Sequence, residues 1–462
     1  MKSSSNSTSA LAGPHVEAPP RMWSWLGKAV VGIVLTFIVA ATAVSLHSQA
    51  DYFLGYDFLA FYASGRIVNH YGANRLYDIN LQRTIHKELD PSSDRRSLWP
   101  FLNLPFVAIL FAPLARVPLR EAYFLWMIVN LLLLVAAMCI LTWEPASGWK
   151  TVPKWRAVST ALRVNFNSFA SLERKALCII GTLALAPTAW ALANGQLSFV
   201  VMLLLALFFK DLTVARDRRA GIWLGLLAVK QQLLVGPLLL LAFKGRWRVL
   251  VTAALVLLSL LLISYAMAGP AGMRGYMGVM GLGLSNDPSL SIFAESQHNW
   301  RGFLLRSGLE GIPLAVGAAL ASAATIGVLL WIWRGEWRPN GFRLTALILT
   351  TLLVAPHGHW QEWALLGLIF ALFVGDPGSS GLGRVESLMR SGERDATALR
   401  ALPDGASLNV KSWLLVFSLS IYTSLAANVF TLWRFSLVHF GAVAALIIMT
   451  FGESEPKEEP PS

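Results

Sequence analysis

The chain has 462 residues, of which 55% are hydrophobic and only 14% charged. A soluble domain carries about 45–50% apolar and about 25% charged residues, so the surplus apolar surface needs lipid and a soluble globular protein is excluded. The net charge of +12 does not point to nucleic acid, because Lys and Arg fall in short clusters between apolar runs, the pattern of positive-inside loops.

Residues 1–22 are polar and Ser/Pro-rich, and are expected to be a disordered cytoplasmic N-terminus. The run 23–46 is long enough to cross about 30 Å of hydrocarbon. A cleaved signal peptide would have a shorter apolar core with a cleavage site close behind it, so this span is kept in the expected fold. The longest polar stretch follows at 47–100, where six Lys/Arg balance six Asp/Glu. Apolar segments then recur near 102–117, 120–143, 176–193, 196–209, 220–243, 248–268, 311–333, 342–355, 360–375, 412–429 and 434–451. The hydropathy pattern predicts an all-α polytopic membrane protein with about 10–12 membrane helices, built as a single transmembrane domain over 23–452. Cys139 and Cys178 both lie inside apolar runs and supply neither a disulfide framework nor a thiolate metal site.

Orientation is read from the basic clusters. Lys244, Arg246 and Arg248 form one, Arg334 and Arg338 another, and Arg384 to Lys411 a third. These place the loop 47–100, the stretch 269–301 and the Pro356 to Trp360 turn on the extracytoplasmic side. The Gly/Ser-rich linker 376–409 is expected to be a flexible cytoplasmic loop, and the acidic, Pro-containing tail 453–462 a disordered end. Two ambiguities remain. Arg216, Arg218 and Arg219 stand so close to Lys244 that 220–243 is either one span or a re-entrant hairpin broken near Lys230 or Pro237. The basic loop 144–175 implies that either 102–117 or 176–193 is not a full crossing.

Several residues carry chemistry. Asp57 follows the first span in an aromatic segment, where a carboxylate is either a helix N-cap or a general base tuned by partial desolvation. Asp51 competes for either role. Lys230 lies inside an apolar run, where an ammonium faces a cavity and an anionic ligand group or snorkels to an interface. His357, His359 and Glu362 permit metal ligation, phosphate recognition or a polar turn. No motif supplies the further ligands a tetrahedral metal site needs, so none is expected. His298 and Arg301 in the late outer loop, and Asn194 and Gln196 between short spans, are further polar clusters. Six of the eight histidines fall in expected outer loops.

Taken in order, these clusters resemble glycosyltransferase family 87, membrane enzymes of the GT-C type that include polyprenyl-phosphate-mannose-dependent mannosyltransferases. The landmarks are Asp57-Phe58 with Tyr62, Leu76-Tyr77-Asp78, Leu104-Pro105-Phe106, Asn194-Gly195-Gln196, Ala220-Gly221 with Gly225 and Lys230, the Gln297 to Arg301 stretch, and Ala355-Pro356-His357 with His359 and Glu362. The sequence departs from the family pattern at Leu104-Pro105, at Gln231-Gln232 after Lys230, and at Glu362, where Asp is commoner. The resemblance implies a GT-C fold whose first extracytoplasmic loop carries short amphipathic helices. It makes Asp57 the catalytic base, with Lys230, His357 and His359 facing the donor's lipid phosphate. Glu362, Gln231, Asn194, Gln196, Tyr62, His298 and Arg301 complete the expected substrate-binding set. The implied reaction passes a sugar, mannose, from a polyprenyl phosphate to the hydroxyl of a lipid or glycan acceptor, with inversion and without a cofactor, in a multi-pass protein of the cell inner membrane. A transporter or flippase of a lipid-linked substrate is the alternative. It would also place a lysine and broken helices at membrane depth, but transporters often show paired internal repeats, and none is visible.

Overall fold

The computed structural model describes residues 57–90, 98–142, 174–284 and 297–374, with isolated positions at 32–44 and at 172. The expected segments 1–22, 376–409, 412–429, 434–451 and 453–462, and most of 23–46, lie outside the described residues.

The described fold is all-α. Two short helices, α1 (Asp57–His70) and α2 (Ile79–Leu89), precede the first long one. Asp78 caps α2 by accepting the backbone N–H groups of Asn80 and Leu81, satisfying donors that have no partner inside the helix. Helix α3 (Pro105–Phe111) has seven residues, a rise of about 10 Å. It is too short to cross a bilayer, and it packs on α1 instead. Phe61 stacks on Phe111 with ring centroids 4.8 Å apart. Asn69 donates to the Ala112 carbonyl at 2.7 Å, and Tyr62 to that of Val117 at 2.7 Å. The segment 102–117 is therefore the one that does not cross. Helix α4 (Leu119–Leu141) is long enough to do so. So is the pair α5 (Arg174–Leu183) and α6 (Ala186–Ala193), taken as one span bent by 68°; α7 (Ser198–Thr213) follows.

The run 217–243 comprises α8 (Asp217–Leu226), a 3₁₀ segment Leu227–Leu234, and α9 (Val235–Phe243). Its 27 residues are long and apolar enough to cross, but its two ends meet, because Arg246 pairs with Asp217. Helix α10 (Trp247–Leu284) then runs beside α8 in the same direction. A Cβ on Gly221 would lie 2.6 Å from that of Thr252, and one on Gly225 would lie 2.6 Å from that of Val256. Small residues let the two axes approach this closely. Helix α9 must consequently return, and 217–243 is a re-entrant hairpin with Lys230 at its tip. Lys230 itself has non-helical φ −138° and ψ 73°. Such a break is tolerated at membrane depth only where protein or water surrounds it. Here Asn103 Nδ2 donates to the Val229 carbonyl at 2.7 Å.

Helices α11 (Trp300–Arg306), α12 (Gly311–Ile332), α13 (Gly341–Val354) and α14 (Leu366–Val374) complete the described bundle. Lys244 Nζ donates to the carbonyls of Trp333, at 2.9 Å, and Gly335, at 2.6 Å. The clusters around Arg216, Arg246 and Arg334 therefore share one end of the bundle. Leu132, Leu255 and Leu262 are among the side chains left exposed on α4 and α10, as expected where the neighbour is lipid rather than protein. The chain is a multi-pass membrane protein.

A hairpin and a crossing predict different labelling. With Cys139 and Cys178 replaced by Ala, Arg218→Cys and Arg248→Cys should react with a membrane-impermeant maleimide from the same side. Reaction from opposite sides would make 217–243 a crossing.

Candidate functional site

The site lies at the end of the bundle opposite the basic clusters. Helix α6 ends in Asn194-Gly195-Gln196, where the Gln196 N–H bonds to the Ala191 carbonyl at 3.0 Å and the Gly195 N–H to that of Leu192 at 2.9 Å. This is a Schellman cap, with glycine at the position that needs the left-handed conformation; Gly195 has φ +61°. A Cβ there would also lie 2.8 Å from that of Phe58. The glycine lets the turn close on the first turn of α1, which brings Gln196 to Asp57. From α4, Tyr123 Oη donates to the Ala193 carbonyl and Trp126 Nε1 to that of Gly195, each at 2.7 Å, holding the turn in place.

Gln196 then bridges two charged groups. Its side chain hydrogen-bonds Asp57, and its Oε1 accepts from Lys230 Nζ at 3.0 Å. Lys230 reaches Glu362 Oε1 at 2.6 Å in an ion pair whose side chains are 6% and 4% exposed. The other Glu362 oxygen accepts the His359 N–H at 2.7 Å, the backward half of a capping box at the start of the 3₁₀ segment Trp360–Leu365. A continuous polar chain thus runs from Asp57 through Gln196, Lys230 and Glu362 to the His359 backbone. Burial pushes the Asp57 carboxyl up to about 6, against the opposing pull of Lys230 and the Gln196 hydrogen bond. His357 is held well below the ordinary imidazole range by burial first, then by His359, Lys230 and Arg301.

These groups line a cavity of about 370 Å³ together with Phe61, Trp99, Asn103, Gln231, Met280 and Pro356. Of the expected site residues, Asp57, Lys230, Gln231, Gln196, His357, His359 and Glu362 all face it. Tyr62, Asn194, His298 and Arg301 are not part of its lining. The Tyr62 hydroxyl is spent on the Val117 carbonyl, and Asn194 Nδ2 donates to the carbonyl of Trp190 at 2.8 Å within the cap. His298 packs on Trp360 with centroids 4.9 Å apart, and its backbone ties the late loop to Gly358 at 2.7 Å. The expectation for Lys230 also changes, since its charge is already matched by Glu362 before any ligand arrives. Asn103 and Tyr276 were not legible as site residues. Asn103 supports the hairpin break, and Tyr276 Oη bonds Gln231 Nε2 at 2.8 Å. Only the tertiary contact reveals either. Among the described residues no three His, Cys, Asp or Glu side chains gather as metal ligands.

Residues 101–356, more than half of the chain, match the description Glycosyltransferase family 87. The chain belongs to glycosyltransferase family 87. No curated protein matches it in sequence. The family match, with the apolar helices, makes the chain a membrane glycosyltransferase. It begins after Asp57 and ends at Pro356, one residue before His357, so it takes in Lys230 and Gln196 but not Asp57, Glu362, His357 or His359. What joins those outlying residues to this glycosyltransferase's core is the cavity that they share.

The buried pair gives a test. Breaking such a pair by removing one partner costs about 3–5 kcal/mol. Lys230→Met and Glu362→Gln should each lower the thermal stability of the purified protein by an amount of that order. The double variant should recover most of the loss in stability while staying inactive. Equal and additive losses would show that the two groups are not coupled.

Proposed function

We propose that this membrane glycosyltransferase transfers a hexose, mannose, from a polyprenyl-phosphate donor to the hydroxyl of a lipid or glycan acceptor at the extracytoplasmic face, with inversion. The observation that carries this reading is the placement of Asp57 in one cavity with Lys230, His357 and His359, in a chain of this family. A carboxylate raised to about 6 is ionised at neutral pH and still basic enough to take a proton in the transition state. Asp57 removes the acceptor's hydroxyl proton as that oxygen attacks the anomeric carbon from the face opposite the phosphate. The bond from that carbon to the phosphate oxygen breaks, and the lipid phosphate leaves with one more negative charge than it had in the donor.

Stabilising that charge falls to groups already fixed in place. Lys230 gives one N–H to Glu362 and one to Gln196, while its contact with Ser198 Oγ is long, at 3.5 Å. A phosphate oxygen competes readily for that third donor. Phe61, Trp99, Val235, Met280 and Pro356 are among the apolar residues of the cavity wall, suited to the first isoprene units of the donor's tail. Groups with fixed geometry cost no reorganisation when charge develops, which is why a buried and pre-paired lysine serves this role.

The test is transfer from labelled polyprenyl-phosphate sugars by membranes of expressing cells. Asp57→Asn keeps the shape of the side chain and should lower turnover by about 10²–10⁴-fold, the size of a general-base contribution, with the fold retained. Only the carboxylate form accepts a proton, so the wild-type rate should fall as pH drops through about 6. Full transfer by Asp57→Asn, or a rate flat from about pH 5 to pH 8, would remove Asp57 as the base.

A further inference from the structure

A second hydrogen-bonded chain reaches the cavity from the late loop, and its direction is fixed by backbone groups. Asn299, fully buried, caps α11 by accepting the Gly302 N–H at its Oδ1, 2.8 Å away. A backbone N–H can only donate, so this atom is the oxygen. Asn299 Nδ2 then donates to the Ala355 carbonyl at 2.8 Å and to Gln297 Oε1 at 3.1 Å. Gln297 is also fully buried. With its oxygen committed to Asn299, the group that it turns to His357 Nδ1, 3.0 Å away, is the amide nitrogen. An amide nitrogen donates and never accepts, so Nδ1 of the imidazole must be unprotonated. Side-chain amide and imidazole orientations are ordinarily inferred from such networks, and here the Asn299 amide is pinned by main chain at both its oxygen and its nitrogen. The loop that carries it is built tightly. Arg306 donates to the Gln297 carbonyl at 2.8 Å, and a Cβ on Gly302 would overlap that same carbonyl oxygen.

We propose that Gln297, oriented by Asn299, is a positioning residue that locks His357 as the neutral tautomer protonated on Nε2, making it a hydrogen-bond donor to the departing lipid phosphate rather than a base. The role toward phosphate rests on the reaction proposed above; the lock itself does not. The Nδ1 edge of the ring is taken by Gln297, so the edge that His357 offers the cavity carries the Nε2–H. A donor there strengthens its bond as the phosphate oxygens gain charge. It also leaves Asp57 as the proton acceptor for the sugar's new partner. Without the lock, an imidazole could turn a bare nitrogen toward an anion and repel it.

The lock is read directly from the ¹⁵N resonances of histidine in the full-length protein, with His357 assigned by the signal lost in His357→Gln. The wild type, without substrate, should show an unprotonated Nδ1 and a protonated Nε2. Gln297→Glu replaces the donor with a group that only accepts. It should move the proton to Nδ1, which leaves Nε2 bare, and it should lower transfer by about 10²-fold, the scale for removing one donor from a developing oxyanion. A wild-type His357 protonated on Nδ1, or on both nitrogens at neutral pH, overturns the proposal and needs no variant to fold. So does a Gln297→Glu protein that keeps both the Nε2–H signal and full transfer. If the expected tautomer is found in a protein that uses no polyprenyl-phosphate sugar, the lock stands and the assigned reaction falls, together with the phosphate role.

Discussion

The site depends on the ion pair between Lys230 and Glu362, at 2.6 Å and almost fully buried. Removing an ammonium and a carboxylate from water costs several kcal/mol per ion, and their attraction offsets this only with good geometry and further hydrogen bonds. Both partners have those bonds. Gln196 takes one lysine N–H, and the His359 backbone fills the second carboxylate oxygen. The pair ties the tip of the 217–243 hairpin to the turn that opens the segment Trp360–Leu365, two places far apart in the chain. Asp57 joins through Gln196, so one network holds four otherwise separate parts of the bundle to a common cavity.

The pair forms where the helix is broken. Lys230 leaves helical geometry, and the carbonyl freed beside it is taken by Asn103. The Gly195 turn is equally necessary, because any side chain there would strike Phe58 and hold Gln196 away from Asp57. At Lys230 and Gly195 the irregular backbone lies where the polar groups meet, and protein packs against it there. Lipid can neither donate nor accept the hydrogen bonds that such backbone lacks. The helices α4 and α12, and α10 before its break at Gly269, instead leave large apolar side chains exposed along much of their length.

Much of the fold could be read before any coordinates. Hydropathy marked both ends of α4 and α12 and the start of α10 to within a few residues, since a span must be apolar over about 20 residues whatever it packs against. It failed where length and burial diverge. The segment 102–117 looks like a span because Phe106, Val107 and Phe111 are apolar, but they are apolar in order to pack on α1 and its neighbours. The run 217–243 has the hydropathy of a crossing and the path of a hairpin. A hydropathy count cannot distinguish these, because it registers that a residue is buried and not what buries it.

In the site the division follows the same line. The sequence by itself determined that this is a helical membrane protein, that Lys230 within an apolar run must either face a polar partner or snorkel to an interface, and that Asp57, His357 and Glu362 are polar groups at the ends of apolar segments. Those conclusions follow from the cost of placing charge in hydrocarbon, which each residue bears locally. Only the tertiary structure decided that the partner of Lys230 is Glu362, that Tyr62 and Asn194 are spent on main-chain carbonyls, and that Gln297, held by Asn299, reaches His357. Each of those assignments depends on which helix ends meet. That is set by packing across the whole bundle, and no local pattern of residues encodes it.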